Sequence, residues 1–213
     1  MSDRHGTSPS TDSTVSTGVD VVYGPDVSTD AELKLCGDVR GKRIVEIGLF
    51  GTIPNCVTLA RKGARVIAID PTPERVARAR LAAERAEVVV EFHTTDIVDF
   101  GMLMSGTVDL ALAVHSITHT HDYLRVFRQV HRVLKPGGSF VVCIQHPVAA
   151  MLHSDGVTTQ HAYGEHTPTI GELVMSLQRT NFSLDVLHEL ASMRRSNDLA
   201  PSILVMRARK VGS

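Results

Sequence analysis

Apolar residues along this chain fall into two rhythms. Short, nearly unbroken apolar runs alternate with stretches where apolar positions recur every three or four residues. The first rhythm marks strands buried on both faces, and the second marks amphipathic helices. Residues 43–48 (RIVEIG), 65–70 (RVIAID), 87–93, 108–114 (VDLALAV) and 139–144 (SFVVCI) are the predicted parallel strands. Helices are predicted at 54–62, from Thr72 to about Glu84, and over 122–134. The last shows one stripe of Tyr123, Val126, Phe127, Val130, Val133 and Leu134. A shorter helix is expected at 31–36.

Punctuation supports these boundaries. Pro54 and Pro73 stand at first-turn positions, where no backbone donor is needed. Thr72 is a capping candidate. Gly63 suits a left-handed helix end, and Lys135-Pro-Gly-Gly should stop the 122–134 helix sharply. Beyond strand five, residues 145–168 form a long polar stretch with many His, Thr and Gly. A connection of that length is usually a functional lid or binding loop. A helix at 170–179 and strands at 182–190 and 202–209 close the pattern. The order predicts an α/β fold: a doubly wound, Rossmann-like, mostly parallel seven-stranded sheet with a terminal antiparallel strand and helices on both faces. In such folds ligands bind at the carboxyl ends of strands, here those of strands one and two.

Composition narrows the function. The chain has 213 residues and a formal net charge of −1. Residues 1–20 are rich in Ser, Thr, Asp and Gly without periodicity and are expected to be a disordered tail, leaving 21–213 as one domain. No Lys/Arg patch favours nucleic acid. No apolar run favours a membrane span, and no signal-peptide pattern opens the chain, so a cytoplasmic protein is expected. The three cysteines, Cys36, Cys56 and Cys143, are widely separated and fit buried free thiols. No heptad or repeat encodes an oligomeric state.

The segment from Arg43 to Asp70 carries the chemistry. A strand leads to an acid, Glu46, and a glycine-bearing turn; a helix and a second strand follow, ending on Asp70. That spacing suits a carboxylate gripping a ribose. Together, VEIGLFGT, VIAIDPTPE, TTDI and VDLALAVHSITHTHDYLRVFRQVHRVLKPGG resemble the class I S-adenosylmethionine-dependent methyltransferases of small-molecule type. The stretch HTPTIGELVMSLQRTNF resembles the family's penultimate helix. The resemblance implies S-adenosylmethionine as cofactor and a small polar methyl acceptor as partner. It implies that Glu46 holds the methionine ammonium and that Gly48 and Gly51 lie along the cofactor. Asp70 would take both ribose hydroxyls, Pro71 would lie along the adenine, and Asp96 with Ile97 would receive the adenine ring. Val114, His115 and Ser116 would pass the methionine end, and Tyr23 would reach in from the N-terminal side.

The turn departs from the family pattern at Phe50, which stands where a small residue is usual. Either Gly51 serves a shifted turn with Phe50 turned away, or the Phe50 ring takes cofactor space. A non-catalytic relative acting as a binding module, and a nicotinamide-dependent oxidoreductase, are therefore alternatives to the methyltransferase. If the acceptor must lose a proton, His115, His119 and His146 are the candidate general bases. The remaining histidines, including His153, His161 and His166, look scattered, and no metal site is expected.

Overall fold

The computed structural model describes residues 19–117, 122–153, 156–194 and 200–212. Most of the predicted tail therefore lies outside the described residues. Asp20, at its end, is placed, and its carboxylate pairs with Lys62.

Among the described residues, seven strands form one sheet: β1 (Arg43–Ile47), β2 (Arg65–Asp70), β3 (Val90–Thr94), β4 (Val108–Val114), β5 (Leu134–Gln145), β6 (Phe182–Leu190) and β7 (Ile203–Lys210). Their spatial order is β3-β2-β1-β4-β5-β7-β6. The first five run parallel, and β7 is antiparallel to both β5 and β6. The helices are α1 (Asp30–Leu33), α2 (Asn55–Arg61), α3 (Pro73–Arg85), α4 (Tyr123–Val133) and α5 (Ile170–Arg179). Alternate residues of the strands feed two cores. Val45 and Ile47 join Val126, Phe127, Leu173 and Leu177 of α4 and α5 on one face. Ile44 joins Val57, Leu59, Val76 and Ala79 of α2 and α3 on the other. With both faces covered, β1, β2 and β4 must be apolar nearly throughout.

Four boundaries differ from the sequence reading, each for a local reason. Strand β5 begins at Leu134 rather than Ser139: Leu134 already pairs with Val108, and the register then shifts before Ser139 meets Leu110, so Lys135-Pro-Gly-Gly is an irregularity inside the strand rather than a connection before it. The first helix is a single turn because Lys34 is left-handed, at φ 56°. The Asp30 carboxylate then takes the Leu35 and Cys36 N–H groups that a longer helix would have used. Strand β3 starts three residues late because Glu87 is left-handed and Val88 N–H still bonds to the Ala83 carbonyl at the end of α3. Pro54 precedes α2, in extended backbone, rather than occupying its first turn. Thr72 also makes no side-chain cap on α3.

The chain leaves β1 toward β2 and later returns to lay β4 on β1's other side. The switch point is therefore between β1 and β4, not between β1 and β2 as the sequence suggested.

Candidate functional site

Where β1 ends, Gly48 turns the chain at φ 74° and its N–H bonds the Ile69 carbonyl at 2.7 Å. A Cβ on Gly48 would lie 2.3 Å from the Ser116 Cβ, so two backbones meet here at a distance only glycine allows. Gly51 is the second left-handed residue of the turn, at φ 78°, and Phe50 stays out of that region. The turn is thus shifted by one residue, as one of the two sequence alternatives required. Phe50 does not leave the site, however. Its ring rests on His115, with centroids 4.5 Å apart and planes tilted by 46°.

A cavity of about 440 Å³ opens over this turn. Its walls are the turn from Gly48 to Thr52, the segment Val114–Ser116 after β4, and Arg75 and Arg78 of α3. The two arginines were not singled out in the sequence. They are three apart in the first half of a helix, hence on one face, and that spacing was the available signal. A larger depression, about 600 Å³, lies at the opposite edge, around Arg43, Arg65 and Glu87, away from the switch point.

Two buried acids, one from each of the adjacent strands β1 and β2, stand behind the turn, and neither lines the cavity itself. Asp70 is fully buried. Its Oδ2 accepts the Leu49 N–H at 2.7 Å, and its Oδ1 accepts the Thr72 N–H at 2.8 Å. Arg75 stands 3.7 Å away. Glu46 is also fully buried. Its Oε2 accepts the Cys56 N–H at 2.5 Å, at the start of α2, while its Oε1 has no partner. Burial pushes the Glu46 carboxyl up to about 7, against the pull of its bonds at α2. Ser116 Oγ, across Gly48, is a second buried oxygen without a partner.

His115 is held in an uncommon backbone conformation, φ 52°. Its Nε2 is 2.8 Å from the Tyr23 carbonyl. A carbonyl only accepts, so Nε2 carries the proton and Nδ1 is the basic nitrogen. Burial lowers its pKa, and the Tyr23 bond opposes that shift.

The other expected residues divide. Val114 is buried in the cavity wall, and Ile97 is buried beneath the neighbouring strand ends. Pro71 and Asp96 are exposed beside them. Asp96 spends one bond on the Val98 N–H, at 3.1 Å. The Tyr23 ring does not reach the cavity: it is wholly buried, and its hydroxyl donates to Asp30 at 2.6 Å. Only its carbonyl approaches, through His115. His146 is also not at the cavity. Its ring is buried, with Nε2 2.8 Å from a Glu189 carboxylate oxygen and Nδ1 accepting the Val148 N–H. Both nitrogens are engaged, so this histidine anchors the loop after β5. His119 lies outside the described residues. The expectation of scattered histidines fails at His161 and His166, whose rings meet edge-on with centroids 3.9 Å apart.

A glycine-turned crevice at the switch point of a parallel sheet, with an acid at the end of each of two adjacent strands, defines a nucleotide-cofactor protein of α/β class. Comparison with known proteins narrows this. Residues 45–142 match the methyltransferase domain family model. A ubiquinone biosynthesis O-methyltransferase of Xanthomonas oryzae is 33% identical over 101 residues, covering 47% of this chain and 42% of that protein. The chain thus matches less than half the length of such curated relatives. An S-adenosylmethionine-dependent methyltransferase structure from Mesorhizobium loti superposes with a TM-score of 0.71 at 25% identity, over 84% of this chain and 96% of that one. The 1,6-didemethyltoxoflavin-N1-methyltransferase of Burkholderia thailandensis shares the fold at a TM-score of 0.58 and 23% identity, over 86% and 75% of the two chains. Residues 45–142 thus carry the methyltransferase-domain pattern, and the fold around them is similar to that of class I S-adenosylmethionine-dependent methyltransferases.

Proposed function

We propose that this protein binds S-adenosylmethionine and transfers its methyl group to a small polar molecule. The observation that carries the reading is the switch-point cavity walled by the Gly48–Thr52 turn, with the Asp70 carboxylate buried directly behind that wall and bonded to the Leu49 N–H. Its volume falls within the range of small-molecule sites, about 300–1,000 Å³. Relatives named for small-molecule acceptors support the substrate class.

The residues fit the cofactor. An ionised carboxylate offers about four acceptor positions. Asp70 uses two of them on backbone N–H groups and keeps two for a pair of ribose hydroxyls. Arg75, with its side chain 55% exposed, has room to swing off the carboxylate. Asp96 has acceptor capacity left for an adenine amino group, with Pro71 and Ile97 as its apolar neighbours. The unpartnered Glu46 Oε1 is suited to an ammonium, whose charge would favour the ionised carboxylate. The bound cofactor supplies an electrophilic methyl on a sulfonium, open to in-line displacement. The protein's part is alignment and proton removal. His115, neutral through burial and with its tautomer set by Tyr23, offers Nδ1 to the acceptor's proton. The loop over 145–168 is the proposed cover of the acceptor.

Titration calorimetry with S-adenosylmethionine and S-adenosylhomocysteine tests the binding. Micromolar affinity in the native chain, lost in Asp70→Ala, is expected. The complete burial of Asp70 favours a competing reading, a binding module with a closed cofactor site. A folded protein that takes up neither ligand would establish that reading instead. For the base, His115→Gln should lower kcat by about 10²-fold or more while cofactor affinity stays within a few-fold. An unchanged kcat would remove His115 from the chemistry.

A further inference from the structure

The loop between β5 and α5 holds a side-chain cluster that methyl transfer does not use. Among the described residues, His161, Glu165 and His166 each bring one ligand atom to a common point, all within 4.8 Å of one another. His161 Nδ1 is 3.8 Å from Glu165 Oε2. Around a tetrahedral zinc ion, bonds near 2.0–2.1 Å place neighbouring ligand atoms about 3.3 Å apart. The ligand–ligand separations therefore need to contract by up to about 1.5 Å, within reach of side-chain rotation at an exposed loop.

We propose that His161, Glu165 and His166 form a binding site for a borderline divalent cation of the zinc type. The chemistry of the set selects the ion. Two imidazoles with one carboxylate suit zinc and its neighbours, whereas magnesium and calcium require oxygen ligands almost throughout. Three protein ligands leave the fourth tetrahedral position to water or a small ligand.

The backbone holds the set in place. Met151 carbonyl accepts the N–H groups of both Gln160 and His161, fixing the first ligand to the loop's root. Gly164 then turns the chain at φ 85°, and a Cβ there would lie 2.8 Å from Thr169 Cγ2. This turn brings Glu165 and His166 back onto His161. Glu165 Oε2 also accepts the Ala162 N–H at 2.8 Å, an outer bond that orients the carboxylate. A bound cation would tie the two sides of the turn together and stiffen the loop. The site stands whether or not the chain transfers methyl groups.

Zinc chloride titrated into the chelator-treated full-length protein, followed by calorimetry, tests this. Saturable 1:1 binding in the micromolar range is expected. Changes to outer-sphere partners already cost about 10–100-fold in affinity, so losing a ligand should cost at least as much. His161→Ala, Glu165→Gln and His166→Ala should each show that loss, with circular dichroism unchanged. His93→Ala, at the exposed His93–Glu91 pair, should bind as the native chain does. Cobalt substituted for zinc should give visible absorption that disappears in His161→Ala/His166→Ala. Zinc binding that survives this double substitution overturns the site, as does the absence of saturable binding in the native protein.

Discussion

Glu46 joins folding and binding in one side chain. Its folded pKa, about 7, stands above the ordinary value of 4.5. The folded protein therefore prefers the neutral acid, and this contribution is complete below about pH 4.5. It declines as pH rises and is gone above about pH 7. The shift corresponds to a cost on the order of 3 kcal/mol for the ionised, buried group. Glu46→Gln keeps an oxygen for the Cys56 N–H and carries no charge. It should gain about 2–3 kcal/mol over the native chain at pH 8 and nothing at pH 4.5, read from urea midpoints at the two pH values. The same variant should bind S-adenosylmethionine more weakly, since the anion facing the ammonium is gone. At Gly48 the constraint is spatial. Gly48→Ala adds left-handed strain to overlap with Ser116, and a loss of about 2–4 kcal/mol in unfolding free energy is expected. The positions of Glu46, Gly48 and Asp70 were legible from strand ends and spacing. What each carboxylate bonds to was not, because the partners at Leu49 and Cys56 are backbone N–H groups that any residue supplies. Tyr23 misled for a related reason: the sequence marks a polar aromatic near the site, and only the fold shows its hydroxyl committed to Asp30.

At the scale of elements, the clearest boundaries are those with chemical markers. Helix α5 opens on a full capping box, in which Thr169 accepts the Glu172 N–H and the Glu172 carboxylate returns to the Thr169 N–H. Thr169→Ala should cost about 1 kcal/mol, visible in thermal denaturation. Helix α4 was legible to within a residue of its end because its stripe is wide and Asp122 caps it. Strand β3 was misplaced because residues 87–89 look strand-like in composition while they still wrap the end of α3. The role of His146 was not legible at all, since its partner, Glu189, lies 43 positions further on. His146→Ala removes both contacts of a buried ring, so a large fall in melting temperature is expected. Its kcat, measured below that temperature, should stay near the native value; a selective loss of kcat would return His146 to the catalytic set.

Across the whole molecule, the alternation of strands and helices predicted the architecture, and the reversal of strand order beside β1 decides where a ligand enters. Both faces of the parallel strands are covered, so the exposed opportunities for chemistry lie at the sheet's rims. The acids stand at the carboxyl rim, with the glycine turn between them. Sequence order alone pointed to β1 and β2; the return of the chain to β4 moved the opening by one strand.

The position of β7 has a further consequence, for how the chain comes to be folded. Strand β6 touches the rest of the sheet only through β7, and β7 is the last of the seven to leave the ribosome. Until then β5 presents an unpaired edge of buried apolar residues, and β6 has no partner. Such an edge is a template for pairing with other chains. A nascent or shortened chain lacking residues 203–210 should therefore collect in aggregates, and the sheet's cohesion is settled only when its final eight-residue strand slides into the gap.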